Sequence, residues 1–176
     1  TLSGISDYML EFRGLGGYDI SVSETVMITP YFGFGYRYLN DDLGKDSLGY
    51  EREANYYYSP IGVEAITELQ DGWSVGATVE YDYFWKGIQK SHLGDFLAGL
   101  DTLENDQEEG FGVRGSIKLQ KKGDKFDYLL EPFIKYWDIG ESETTAITFS
   151  GTPICLIGFE PKNNSTEIGG KFAIKF

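Results

Sequence analysis

Seven stretches of this chain alternate apolar and polar side chains with a period of two. Successive side chains of a strand point to opposite faces, so such alternation marks a sheet with one face unlike the other. The cleanest stretch spans 73–85. There Trp73, Val75, Ala77, Val79, Tyr81, Tyr83 and Trp85 alternate with Ser74, Gly76, Thr78, Glu80, Asp82 and Phe84. The others lie at about 6–18, 26–39, 54–67, 110–121, 126–138 and 167–176. The last reads EIGGKFAIKF and ends in an alternating run through Phe172, Ile174 and Phe176. Seven strands without a helical pattern predict an all-β antiparallel protein in a single domain, residues 1–176.

The connections are sorted by length. Gln70-Asp71-Gly72 and Lys122-Gly123-Asp124 are tight turns of hairpin chemistry, and Ser21 to Thr25 is a short polar turn. Long connections at about 40–53, 86–109 and 139–164 alternate with them. An up-and-down barrel has this sorting, with short turns at one end and long loops at the other.

No run of about 18 apolar residues is present, so no transmembrane helix is expected. Alternating strands escape such a sum, and a mean hydropathy of -0.29 does not exclude a membrane barrel. Thirteen Tyr, twelve Phe and 23 Gly suit strands and interfacial aromatic girdles. The net charge of -13 argues against a nucleic-acid partner, whose phosphates need a basic face. The one cysteine, Cys155, excludes an internal disulfide, and its apolar setting ICLIGF predicts a buried, inert thiol. No signal peptide is read in the sequence, and a first residue of Thr1 in place of Met leads to the expectation of a processed, trimmed or partial chain.

The terminal strand resembles the closing strand of Gram-negative outer-membrane β-barrels. The segments YFGFGYRYLNDD, EPFIKYWDIGES and EPKNNSTE resemble a poorly characterised proteobacterial outer-membrane family. The resemblance implies a bacterial outer-membrane location, with lipid and lipopolysaccharide as surroundings. It also implies that Phe172, Ile174 and Phe176 form a signal read by the barrel-insertion machinery. The last strand would end at the periplasm, which puts all three long loops outside the cell. Bacterial single-chain barrels have even strand numbers. Seven visible strands therefore lead to an expectation of one or three missing N-terminal strands, for a barrel of eight or ten. The alternative is extra pairing inside 139–164, where TAITF and ICLIGF are strand-like, although a hairpin there leaves the parity odd.

In this arrangement the inward alternates carry Glu11, Glu64, Glu80, Asp82, Glu131 and Glu167 against Arg13, Arg37, Arg114, Lys118, Lys135, Lys171 and Lys175. Six acids against seven bases predict a charge-paired lumen, because an unpaired buried ion costs several kcal/mol. Such a lumen is either plugged or a polar conduit. The outward aromatics fall near the ends of the strands. Trp73, Phe126, Tyr128 and Phe176 lie by the tight turns, and Tyr36, Tyr38, Tyr57, Tyr83, Trp85, Phe111 and Tyr136 lie by the long loops.

Most of the remaining negative charge falls in two loops. Asp41, Asp42, Asp46, Glu51 and Glu53 form one group; Asp95, Asp101, Glu104, Asp106, Glu108 and Glu109 form the other. Divalent cations are a possible partner for such carboxylates, but the spacing defines no metal site. Leu93, Phe96, Leu97 and Leu100 fall at helical spacing and predict a short amphipathic helix. His92 is the only histidine. Ser91 and Asp95 stand near it without a nucleophile motif, so no catalytic residue and no cofactor is assigned. The leading expectation is a non-enzymatic envelope or surface-interaction barrel. Alternatives are a small-solute pore, a lipid-modifying outer-membrane enzyme, and a soluble lipocalin-like ligand-binding barrel.

Overall fold

The computed structural model describes residues 6–42 and 49–175, without the side chains of Ser6, Asp7 and Lys175. The strands are β1 (Ser6–Gly17), β2 (Ile20–Ser21), β3 (Val26–Asp42), β4 (Glu51–Glu68), β5 (Trp73–Ser91), β6 (Leu103–Gln107), β7 (Gly110–Lys121), β8 (Asp127–Ile139), β9 (Thr145–Phe149), β10 (Thr152–Gly158) and β11 (Asn163–Lys175). The described residues form an all-β structure, and its main sheet curls into a half-barrel.

Neighbour follows neighbour in that sheet, in the order β1-β3-β4-β5-β7-β8-β11, with every pairing antiparallel. These seven long strands are the seven alternating stretches of the sequence. β1 and β11 are its two edges. They run in the same direction, and no pairing joins them among the described residues.

The alternation separates the two surfaces. Phe12, Phe32, Val79, Ile117, Ile168 and Phe172 stand exposed on the convex face, with Ile168 at 82% and Phe32 at 71%. Arg37, Glu80, Asp82 and Lys135 are buried on the concave face. Hydrophobic-inside is the rule for a water-soluble domain; here the apolar surface faces out and the charges face in.

Several strands outrun their sequence limits. β5 continues past Trp85 to Ser91 because a bulge there opposes Tyr57 and Tyr58. The extra residue shifts the phase, so Gly87, Gln89 and Ser91 become the buried alternates. The expected 86–109 loop is thereby shortened, and β6 pairs back onto the extended end of β5.

The 139–164 segment does contain a hairpin, β9–β10, but it forms its own two-stranded sheet and leaves the strand count of the half-barrel unchanged. Its turn is set by Ser150 and Gly151, both with positive φ, as a tight two-residue hairpin turn requires.

Two local expectations are corrected. Leu93–Asp95 is a single 3-10 turn, where an amphipathic helix was expected from the leucine spacing. Gly94 and Gly99 are poor helix formers, and Gly99 has positive φ, which ends any helical continuation. Cys155 is exposed and not buried, because β10 is an edge strand with both faces open. Phe176 lies outside the described residues. Phe172 and Ile174 are exposed on the convex face.

Candidate functional site

The concave face is built in three levels. At the end nearest the tight turns, Lys118 on β7 pairs with Glu64 on β4, and the Thr78 hydroxyl donates to the same carboxylate at 3.3 Å. Ser116 Oγ donates to Glu131 at 2.9 Å, and Lys171 Nζ stands 3.9 Å from that carboxylate. These groups share a cavity of about 290 Å³ with Tyr31 and Thr29.

Midway along the strands the ionic contacts cross the concavity. Glu80 accepts hydrogen bonds from Arg13 and from the Tyr31 hydroxyl, the latter at 2.7 Å, with Arg114 Nε 3.9 Å away. Glu11 accepts from Lys135, from the Tyr58 hydroxyl and, at 3.3 Å, from Arg114. Arg37 pairs with Glu167 across β1. Lys135, 1% exposed, also faces two rings, with Nζ 5.1 Å from the Trp137 centroid and 5.6 Å from Tyr58. Tyr58 and Trp137 meet edge to face at 5.0 Å.

Glycine makes room for these rings. A Cβ on Gly35 would lie 2.2 Å from the Tyr58 ring, and one on Gly62 would lie 2.4 Å from Tyr31. Each glycine is the register partner of the aromatic that covers it. Aromatic and ionic side chains thus fill the middle of the concavity.

Twelve of the thirteen residues expected to line an interior belong to the polar alternates of the half-barrel, and the side chain of Lys175 lies outside the described residues. Eleven are in ion pairs. The exception is Asp82, which is fully buried with no hydrogen-bond partner on either oxygen among the described residues.

At the long-loop end the connections fold into a cap. The Asn105 amide on β6 donates to the Glu143 carbonyl and the Thr145 hydroxyl, both at 3.0 Å. Gln107 donates to the Gly140 carbonyl at 2.8 Å. The hairpin turn is pinned by the Gly151 N–H donating to Asp101 at 2.9 Å and by the Ser150 N–H donating to the Gly99 carbonyl at 2.8 Å. The Thr148 and Gly151 hydrogen bonds hold the Asp101 carboxyl below the ordinary carboxylate range. Glu160, at the root of the hairpin, pairs with Arg52 on β4 and ties the cap to the half-barrel.

The acidic residues of the loops have different partners. Asp106 pairs with Lys86 and Glu104 with Lys90, while Asp106, Glu108, Glu109, Glu141 and Glu143 line one cleft. Asp46 lies outside the described residues. No three potential ligands converge to hold a metal ion among the described residues.

The His92 ring pairs with residues other than its sequence neighbours Ser91 and Asp95. Nε2 stands 3.5 Å from Glu53 on β4, and Nδ1 is 3.3 Å from the Thr102 hydroxyl. Glu53 and Thr102 were not legible as partners, because only the β4–β5 register brings the first to His92. Gln89 was missed as well; the bulge at Trp85 turns it inward.

These features define an all-β, antiparallel half-barrel with a polar, ion-paired concave face. No family model matches the chain, and no curated protein matches it.

Proposed function

We propose that the chain is an integral outer-membrane β-barrel that acts at the cell surface without catalysis, through its ordered acidic cap. The observation that carries this reading is the inverted polarity of the sheet. Apolar side chains cover the convex face of all seven long strands, whereas charged groups are buried and paired on the concave one. In water a continuous apolar surface of this extent aggregates. In lipid it is the required surface, and a curled sheet keeps its backbone polar groups paired.

One further strand, antiparallel to both β1 and β11, closes the sheet to eight. Eight is favoured over ten because Glu11 and Lys135 already touch across the concavity. A barrel of eight has an interior just wide enough for its side chains to fill. The tight turns face the periplasm and the cap faces outward. Lipopolysaccharide surrounds the cap, and divalent cations at its carboxylates are the natural bridge to lipid phosphates.

The test is phase partitioning. The protein is expected in the detergent-rich phase and to need detergent or lipid to remain dispersed. A monodisperse protein in plain buffer overturns the reading and revives a soluble ligand-binding barrel.

A second reading has one observation in its favour. Glu53, His92 and Thr102 set a carboxylate, an imidazole and a hydroxyl in line at the outer rim, the residue types of acyl-transfer catalysis. Loss of a lipid-hydrolase activity in His92→Ala, with folding intact, would establish it.

A further inference from the structure

On the convex face the strand register sets two alanines side by side. Ala65 on β4 opposes Ala77 on β5, and Ile117 on β7 follows in the same row. Two methyl groups between larger neighbours leave a recess of about 370 Å³, bounded by Val26, Thr67 and Val75 toward the tight turns and by Ile117 beside it. No charged side chain lines it. It lies in the middle of the sheet, away from the open edges β1 and β11, so a closing strand leaves it uncovered.

A cation stands at the turn end of the same face. Lys121 is the register partner of Trp73 and of Tyr128, so its side chain points outward with theirs. The ammonium sits over the Trp73 ring, 5.2 Å from its centroid, and donates to the Asp71 carbonyl. An ammonium has three N–H donors, so two are left for another acceptor. Lys86 and Lys90, near the long-loop end, pair with Asp106 and Glu104, and Lys122 pairs with Glu68. Lys121 has no such carboxylate among the described residues. Four positions separate it from Ile117, about 13 Å along a strand. That interval spans a glycerol backbone and the first carbons of an acyl chain, with half-buried Val75 as a low step between cation and recess. A free phosphate has no use for the recess, and a plain hydrocarbon has none for the ammonium; a phospholipid uses both.

We infer that this surface binds one anionic diacyl phospholipid from the leaflet at the tight-turn end, with Lys121 on its phosphate and an acyl chain in the Ala65–Ala77 recess. The site rests on the reading of the convex face as lipid-facing. It goes beyond general solvation by lipid, because it holds one molecule at one place on the sheet and selects it by charge.

The test is native mass spectrometry of the full chain, released from micelles that hold equal amounts of phosphatidylglycerol and phosphatidylcholine with the same acyl chains. The chain is expected to retain phosphatidylglycerol in preference. Lys121→Gln is expected to weaken that retention about fivefold, the worth of one lysine at an anionic lipid surface. Ala77→Leu fills the recess from an exposed position and is expected to remove the retained lipid. Lys90→Gln, the same charge change at the long-loop end, is expected to leave retention unchanged, and glycerol phosphate, a headgroup without chains, is expected not to displace the lipid. Equal retention of the two lipids, full retention by Lys121→Gln or Ala77→Leu, an equal loss in Lys90→Gln, or displacement by glycerol phosphate overturns the site. Partitioning is scored separately. A protein that enters the detergent phase without lipid preference loses this site and keeps the membrane reading, whereas one that is monodisperse in plain buffer loses both.

Discussion

Lys135 is the most demanding charge in the molecule. Its side chain is fully buried, and among the described residues its one ion pair is with Glu11, which reaches it from the opposite edge of the sheet. Replacing Glu11 with Gln keeps the shape but leaves the buried ammonium without its ion pair. Removing one member of a buried pair costs about 3–5 kcal/mol. The Trp137 and Tyr58 faces remain in place and hold the loss toward the low end, about 3 kcal/mol.

Lys135→Met costs less, about 1–2 kcal/mol, because Glu11 keeps Arg114 and the Tyr58 hydroxyl. In the double variant both members of the pair are gone, so its loss is expected near that of Lys135→Met alone. The cycle then yields a coupling of about 2–3 kcal/mol. Reversible urea unfolding in lipid vesicles, read by tryptophan fluorescence, measures all four proteins, and Trp137 beside the ammonium is a local reporter. A Glu11→Gln loss below about 1 kcal/mol, or additivity of the two single changes, refutes the account of a closed ionic plug.

Four further outcomes are expected. Gly35→Ala drives a Cβ into the Tyr58 ring and costs about 1–3 kcal/mol, whereas Gly14→Ala, with open space around it, is expected within about 0.5 kcal/mol in the same assay. The plug predicts no stable single channels in planar bilayers; regular conductance steps from the unmodified chain would restore the small-solute pore. Cys155, exposed on β10, should react with a membrane-impermeant maleimide on intact cells, and failure to do so until the cells are permeabilised reverses the orientation. Asp101 has its carboxyl depressed by its hydrogen bonds, so its contribution to the hairpin is present above the ordinary carboxylate range and is lost as pH falls through the folded value. Faster amide exchange at Gly151 on acidification, absent in Asp101→Asn, checks that sign.

The period-two pattern made the strands and their faces legible, because an alternation of Val, Tyr and Trp with Thr, Glu and Asp leaves little choice of side. It even set Phe84 on the same face as Glu80 and Asp82. Pairings across the concavity were not legible. Glu11 meets Lys135 only because the sheet curls, and curvature has no local sequence signal. The phase change in β5 was hidden for a related reason: a bulge is one extra residue, and Lys86 is as acceptable on an exposed surface as on an outer rim. The cap eluded composition altogether. Its acids defined no site by their spacing, yet Asn105 and Gln107, which carry no charge, supply bonds that order it.

The two open edges allow the strand count to be tested directly. Glu11 on β1 is the register partner of Arg37, and Arg37 reaches Glu167 on β11, so Glu11 and Glu167 stand at similar height. Their outward neighbours are Phe12 and Ile168. If the two edges meet directly, these positions are one strand spacing apart, about 4.8 Å, within the limit of about 7 Å between Cα atoms for a disulfide. If one strand lies between them, the separation is about 9.6 Å, too far for a disulfide but within reach of a short bismaleimide. The full chain carrying Phe12→Cys, Ile168→Cys and Cys155→Ser, reconstituted in lipid, is therefore expected to resist oxidative closure and to accept the longer linker. Efficient disulfide formation would rule out the intervening strand. With three strands between the edges, neither reagent closes the pair, and the ionic contact from Glu11 to Lys135 must break.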